Sequence, residues 1–127
     1  MQQITRRIWT VALASASLAA NAEVVDVAWD GNGRFSRHLA VPAGESVEAC
    51  SKLARGSKVA WMFQADGRLN FNVHYHLDKK NVRFPAKKTN VKKSDGVLDV
   101  RVTQDYCWMW TNKTTLPASL ELLFERR

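Results

Sequence analysis

Apolar and polar side chains alternate along much of this chain. In the segment 69–77, leucine, phenylalanine, valine and tyrosine occupy every second position, and the positions between them hold Asn70, Asn72, His74 and His76. An alternation with period two places successive side chains on opposite faces of an extended strand. The segment therefore predicts a β-strand with one buried face and one polar face.

The segment 104–112 carries large side chains at both odd and even positions. Because both faces of such a strand would be mostly buried, it predicts an inner strand of a β-sandwich. The cysteine in its middle is expected to be tied to the opposite sheet. One face holds Tyr106, Trp108 and Trp110, and the other holds Cys107, Met109 and Thr111. We expect the four tryptophans of the mature chain to pack in the core. They are Trp29, Trp61, Trp108 and Trp110.

Further short apolar segments are separated by turn signals such as Asp30-Gly31-Asn32-Gly33 and Asp66-Gly67. The segment Ser46–Leu53 fits either a strand or a short helical turn. Seven or eight short strands without a convincing helix predict an all-β fold, an antiparallel β-sandwich or jelly roll. Apart from the undecided segment 46–53, the predicted strands are 24–28, 35–41, 59–65, 69–77, 82–85, 97–103, 106–111 and 118–124.

The N-terminus has the pattern of a secretory signal peptide. Arg6 and Arg7 precede an uncharged apolar run, 8–20, and Ala20-Asn21-Ala22 is a small-residue cleavage sequence. The run is shorter than the about 20 residues that a membrane span needs, so we expect cleavage after Ala22 and not a retained anchor. The mature chain, 23–127, is expected to be one monomeric domain in the periplasm or outside the cell.

The chain has two cysteines, Cys50 and Cys107. In an exported domain they predict a single disulfide, because the compartment is oxidising and one pairing is possible. Closing a loop of this length is worth about 4 kcal/mol by the chain-entropy estimate. The alternative is a pair of free thiols that serve as soft metal ligands.

Several segments together resemble the GOLD domain, the β-sandwich of cargo receptors in the early secretory pathway. They are Gly56 before a strand, the alternating strand 70–76, Asp95-Gly96 before a strand at 97–102, and the segment 105–112. The chain is also similar to small exported bacterial proteins with a GOLD-like fold. The resemblance covers about residues 50–123. It implies a GOLD-like sandwich in which an earlier cysteine pairs with Cys107, and it implies no trafficking role.

His74 and His76 are the first candidate for chemistry. Two histidines two positions apart on a strand project from one face about 7 Å apart, which lets both imidazoles reach one metal ion. A third ligand is needed, and a methionine thioether would favour copper in an exported protein. The alternative is that both rings cover the outer sheet face beside the asparagines. The candidates for the third ligand are Met109 and Met62, with His38 and Asp78 behind them.

The lysine-rich stretch 79–93 is the second candidate for a binding site, because it holds seven positive charges and no acidic residue. The formal net charge is +7 with a sequence pI near 9.8, and removal of Arg6 and Arg7 lowers it to +5. Such a run attracts an anionic envelope component or a protein partner, or it is simply a solvated face. Nucleic acid is not expected in an exported protein. The seven are Lys79, Lys80, Arg83, Lys87, Lys88, Lys92 and Lys93.

The sequence does not predict an enzyme. Both cysteines are expected to be oxidised, no glycine-rich phosphate loop or His-Glu-x-x-His motif is present, and no acids are paired as a glycosidase would need. The predicted function is therefore an exported, non-catalytic binding module, with copper binding through His74, His76 and Met109 as the specific hypothesis. Binding through the stretch 79–93 is the alternative.

Overall fold

The computed structural model describes residues 22–127. The predicted signal peptide, residues 1–22, lies outside this range except for Ala22. Within the range the chain forms seven β-strands and no helix. Their bounds are β1 Ala22–Asp26, β2 Arg34–Val41, β3 Ser46–Leu53, β4 Lys58–His76, β5 Val82–Asp99, β6 Gln104–Thr111 and β7 Ala118–Arg126. The described residues therefore include no helix that could cross a membrane.

The long strand β4 organises the sheet. Its first half, 59–65, pairs with β7, and its second half, 70–74, pairs with β6. The strand order β1-β3-β6-β4-β7-β2 thus curls into two layers, and β5 pairs with β4 along both of them. We call the layer of β2, β7 and the first half of β4 the first layer. The layer of β1, β3, β6 and the second half of β4 is the second layer.

The two layers pack face to face through aromatic side chains. Trp108 on β6 meets Phe124 on β7 with ring centroids 4.5 Å apart, and Phe63 on β4 meets the edge of Trp110 at 5.7 Å. Trp61, Trp108 and Trp110 are buried, as predicted, and Trp29 packs against the rim of the core. The all-β sandwich is therefore confirmed. Pairing is antiparallel except between β1 and β3, which run parallel.

The disulfide between Cys50 and Cys107 is confirmed, but its expected position is wrong. The two cysteines stand opposite each other on β3 and β6, which are neighbours in the second layer. Because Tyr106 and Trp108 face the core, Cys107 must face outward, and it is half-buried there. The bridge therefore staples two adjacent strands of one layer and does not join the layers.

Several predicted boundaries are also wrong. The segments 59–65 and 69–77 are one strand, β4, whose register with β5 is irregular between Gln64 and Leu69, so Asp66-Gly67 does not end it. The segments 82–85 and 97–103 belong to the single strand β5, which ends at Asp99. The segment 46–53 is a strand with the expected bounds. Gly96 on β5 leaves room for the Trp61 indole, since an added Cβ would lie 2.7 Å from the ring.

Candidate functional site

His74 and His76 lie on the outer face of the second layer, as the alternation predicted. Their ring centroids are 5.5 Å apart and the rings are nearly perpendicular. His74 is buried with 7% of its surface exposed, whereas His76 is exposed. The two imidazoles are thus neighbours in different environments, and His74 is the one whose polar atoms need protein partners.

Both ring nitrogens of His74 have such partners. Nδ1 lies 2.7 Å from Asn72 Oδ1, and Nε2 lies 3.2 Å from Glu48 Oε1. Glu48 comes from β3, which is separated from β4 by β6, and its side chain is largely buried. The Nδ1–H donates to Asn72 Oδ1, so Nε2 and the Glu48 carboxylate face each other as two possible metal donors.

The structure brings only one of the predicted third ligands to this face. Met109 on β6 stands opposite Asn72, two residue pairs along from the pair of His74 and Cys107. Met62 and His38 lie on the first layer, where His38 Nδ1 is 3.9 Å from Glu121. Asp78 lies in the turn between β4 and β5. The donor atom that lies beside His74 is a carboxylate oxygen of Glu48. The sequence analysis did not propose Glu48 as a ligand.

The seven predicted cations lie on the turn after β4 and on the first two thirds of β5. We call residues 77–93 the cationic hairpin segment. All seven side chains are exposed, and the ion pairs found within 22–127 involve none of them. Lys87 covers the exposed ring of Phe84 with its ammonium 5.2 Å from the centroid. None of these seven charges is therefore held in an ion pair within the described residues, and all seven are accessible to a partner.

The turn at the tip of this segment is fixed by Asp78. Its carboxylate accepts hydrogen bonds from the backbone N–H of Lys80 at 2.8 Å and of Asn81 at 2.9 Å, and from the Asn81 amide. The Asn81 side chain, followed by the Lys80 backbone N–H, lowers the pKa of Asp78. Lys79 and Lys80 are thus presented by a turn with a defined conformation.

The strand β5 is an edge strand, because within the described range it pairs with β4 alone. Lysines and Pro85 on an exposed edge oppose the addition of another strand. Asn90 interrupts the edge with a positive φ of 58°, and Arg68 donates to its carbonyl oxygen at 2.9 Å. A partner is therefore expected to meet the side chains of β5 and not to extend the sheet.

An apolar patch on the first layer is a competing surface. Met62 and Leu123 stand opposite each other on β4 and β7, and 50% and 43% of their surfaces are exposed. Val97 on β5 lines the same groove with Lys93 beside it. The sequence analysis considered Met62 only as a possible copper ligand and did not identify this patch. Exposed apolar groups rimmed by charge are typical of protein-binding surfaces.

Comparison with known proteins identifies similar folds but does not assign the chain to a family. No protein-family model matches the sequence, and no curated protein matches it. The structure is similar to PliG from Aeromonas hydrophila, a periplasmic inhibitor of g-type lysozyme, with a TM-score of 0.67 and 10% identity over 84% of this chain and 97% of that chain.

Two further solved structures have a similar fold. PliG from Salmonella Typhimurium has a TM-score of 0.60 and 8% identity over 84% of this chain and all of its own. The Yersinia pseudotuberculosis-derived mitogen has a TM-score of 0.57 and 7% identity over 72% of this chain and 84% of that chain. At these identities the similarity establishes the fold alone, and the resemblance to GOLD domains stays a prediction.

Proposed function

We propose that this protein is an exported, non-catalytic module that binds another protein, and that its partner is a g-type lysozyme. Three structures of PliG, a periplasmic inhibitor of this enzyme class, share the fold over 97–100% of their own chains, which supports a binding role. The cationic hairpin segment is the surface that we assign to the partner. It carries seven exposed cations without an ion-pair partner among residues 22–127.

Electrostatics supports this choice of surface. Glycosidases of the lysozyme kind act through carboxyl groups that flank the scissile bond, so the cleft of the enzyme offers negative charge. A cationic segment on a fixed turn complements such a cleft and speeds encounter with it. Because Asp78 already holds the turn, little conformational freedom of the backbone is lost when Lys79 and Lys80 bind.

Charge reversal tests the assignment. The triple variant Lys79→Glu, Lys80→Glu and Lys87→Glu is expected to bind a purified g-type lysozyme about 100-fold more weakly, because three attractions become repulsions that together cost about 3 kcal/mol. The measurement is isothermal titration calorimetry, with lysozyme activity as a second readout. The three side chains are exposed, so the variant is expected to fold normally.

The matched control carries the same change in net charge at other exposed positions, Arg37→Glu, Arg55→Glu and Lys113→Glu. Its affinity is expected to stay within about tenfold of the unmodified protein, since only long-range attraction is lost. Equal losses in both variants would contradict the assigned surface. Binding to phosphatidylglycerol vesicles without binding to lysozyme would contradict the protein partner and favour adhesion to an anionic envelope component.

Copper binding by His74 and His76 is the second candidate function. The observation that favours it is the Glu48 carboxylate 3.2 Å from His74 Nε2, which adds an oxygen donor that suits Cu²⁺ together with imidazole. Met109, on the same face, would serve Cu⁺ as a thioether donor. The ligand set is thus expected to depend on the oxidation state of copper.

A copper titration of the disulfide-bonded protein tests this candidate. We expect one equivalent of Cu²⁺ to bind, and we expect His74→Ala and His76→Ala each to lower the affinity about tenfold or more. His38→Ala is the control, because His38 is exposed on the first layer. The candidate fails if no stoichiometric uptake is seen or if uptake survives the removal of both histidines.

A further inference from the structure

Four potential metal ligands lie together on the outer face of the second layer. Cys50, Cys107 and His74 form one row across β3, β6 and β4, because Cys107 stands opposite both of the others. Glu48 precedes Cys50 by two positions on β3 and faces the same side. One donor atom each from Glu48, His74 and Cys107 lie within 4.8 Å of one another.

The surroundings of this cluster are those of a protected site. His74 is buried, and Glu48 and both cysteines are at most half-exposed. Asn72 Oδ1 accepts from His74 Nδ1 at 2.7 Å, so Nε2 is the nitrogen left for a ligand, and it points to Glu48. An imidazole held by a hydrogen bond at its other nitrogen is the arrangement that metal-binding histidines have.

The disulfide prevents two of the four donors, the cysteine sulfurs, from binding a metal ion as thiolates. Each sulfur is bonded to the other, so neither can act as a thiolate. A dithiol reductant opens the bond by thiol–disulfide exchange: its first sulfur forms a mixed disulfide with one cysteine, and its second sulfur displaces that cysteine. The dithiol is oxidised to its own disulfide, and Cys50 and Cys107 each gain one electron and one proton.

We propose that reduction of the Cys50–Cys107 bond converts this cluster into a Zn²⁺ site with Cys50, Cys107, His74 and Glu48 as ligands. Two sulfurs, one nitrogen and one oxygen are the four donors of a tetrahedral zinc site, whose bond lengths set the donors about 3.5 Å from one another. The donor atoms of Glu48, His74 and Cys107 already lie within 4.8 Å of one another, so these three need only small side-chain movements. The Cys50 sulfur lies beside that of Cys107 and has to move away from it once the bond is opened. Both thiols lose their protons when the ion binds.

This site is distinct from the surface that we assign to the protein partner. The cationic hairpin segment acts in the disulfide-bonded protein, whereas the zinc site exists only after reduction. It also differs from the copper candidate, which uses His76 and needs no free thiol. Reduction would thus replace the covalent link between β3 and β6 with a metal ion that links β3, β6 and β4. The stability of the second layer would then depend on the redox potential of the surroundings and on the zinc concentration.

The experiment compares the two redox states of the whole mature protein. One sample stays oxidised, and the other is reduced with dithiothreitol and freed of the reductant under argon. Both are titrated with Co²⁺, whose thiolate charge-transfer absorption reports sulfur ligation, and then with Zn²⁺. We expect the reduced protein to bind one equivalent about 100-fold more tightly than the oxidised protein, and Zn²⁺ to displace Co²⁺.

Variants distinguish a four-ligand site from metal binding by the two thiolates alone. In the reduced state, His74→Ala and Glu48→Gln are each expected to weaken binding about tenfold or more. His76→Ala removes the neighbouring ring but none of the four donors, and it is expected to change the affinity less than about threefold. The proposal is overturned if the oxidised and reduced proteins bind equally. It is also overturned if the reduced His74→Ala and Glu48→Gln variants bind as tightly as the unmodified chain.

Discussion

Replacement of Trp108 by alanine is expected to lower the free energy of unfolding by about 3–5 kcal/mol, a large part of the total stability of a domain this small. Trp108 has no exposed surface, and its ring meets Phe124 across the two layers. Alanine would leave a cavity at the centre of the sandwich, where neither layer can close without moving a whole strand.

Urea denaturation followed by circular dichroism measures this loss. The matched control is Met109→Ala on the same strand, because Met109 faces outward and is only half-buried. The control is expected to cost less than about 1.5 kcal/mol. If Trp108→Ala cost no more than Met109→Ala, the aromatic interface between the layers would not be the core of the fold.

Removal of the disulfide is expected to have the second largest effect. The double variant Cys50→Ser and Cys107→Ser should lose about 3–4 kcal/mol, because the bridge restricts an unfolded loop with a sequence separation of 57 residues. The loss of stability is expected to come mainly from the larger conformational entropy of the unbridged unfolded chain. The folded state changes little, since β3 and β6 also pair through their backbones. The fold should therefore survive at neutral pH and room temperature.

The same denaturation experiment checks this expectation. Unmodified protein that has been reduced and alkylated after unfolding provides a reference for the unbridged chain. The double variant should retain its β-rich circular dichroism spectrum and unfold at lower urea concentration. A change of less than about 1 kcal/mol would contradict the loop-closure estimate. A chain without β-structure would show that the bridge is required for folding.

Local periodicity in the sequence predicted those parts of the fold where side chains alternate between core and solvent. The two faces of the β4 segment 69–76 and the two faces of 106–111 follow from alternation alone. The strand β5 did not, because an edge strand needs only backbone pairing with β4, and its lysines can face solvent without any regular pattern. The signal peptide that the sequence predicts lies outside the described residues except for Ala22.

The position of the disulfide shows the second limit of sequence reasoning. Alternation places Cys107 opposite to Trp108, so an outward cysteine was implicit in the pattern. Whether its partner Cys50 lies in the same layer depends on which strands pair with each other. Strand pairing is decided by contacts between residues far apart in the sequence. The prediction of a bridge between layers was wrong because β3 and β6 are adjacent in one layer.

The candidate site shows the same limit. The sequence predicted that His74 and His76 share a face, which is a property of one strand. It did not identify Glu48, because the contact with His74 requires β3, β6 and β4 to be consecutive in the sheet. The only sequence signal was that Glu48 and Cys50 share a face of β3. The seven cations of the hairpin could be identified as a cluster because they are close in sequence, and their role in binding stays a prediction.

Amide hydrogen exchange of the disulfide-bonded protein, alone and with an excess of a g-type lysozyme, tests the central claim most directly. Backbone amides that a bound partner covers exchange more slowly. Our account predicts slower exchange in residues 77–93 and no change around Met62 on β4 and Leu123 on β7, which form the competing apolar patch. Slowing confined to these parts of β4 and β7, or no slowing anywhere, would contradict it.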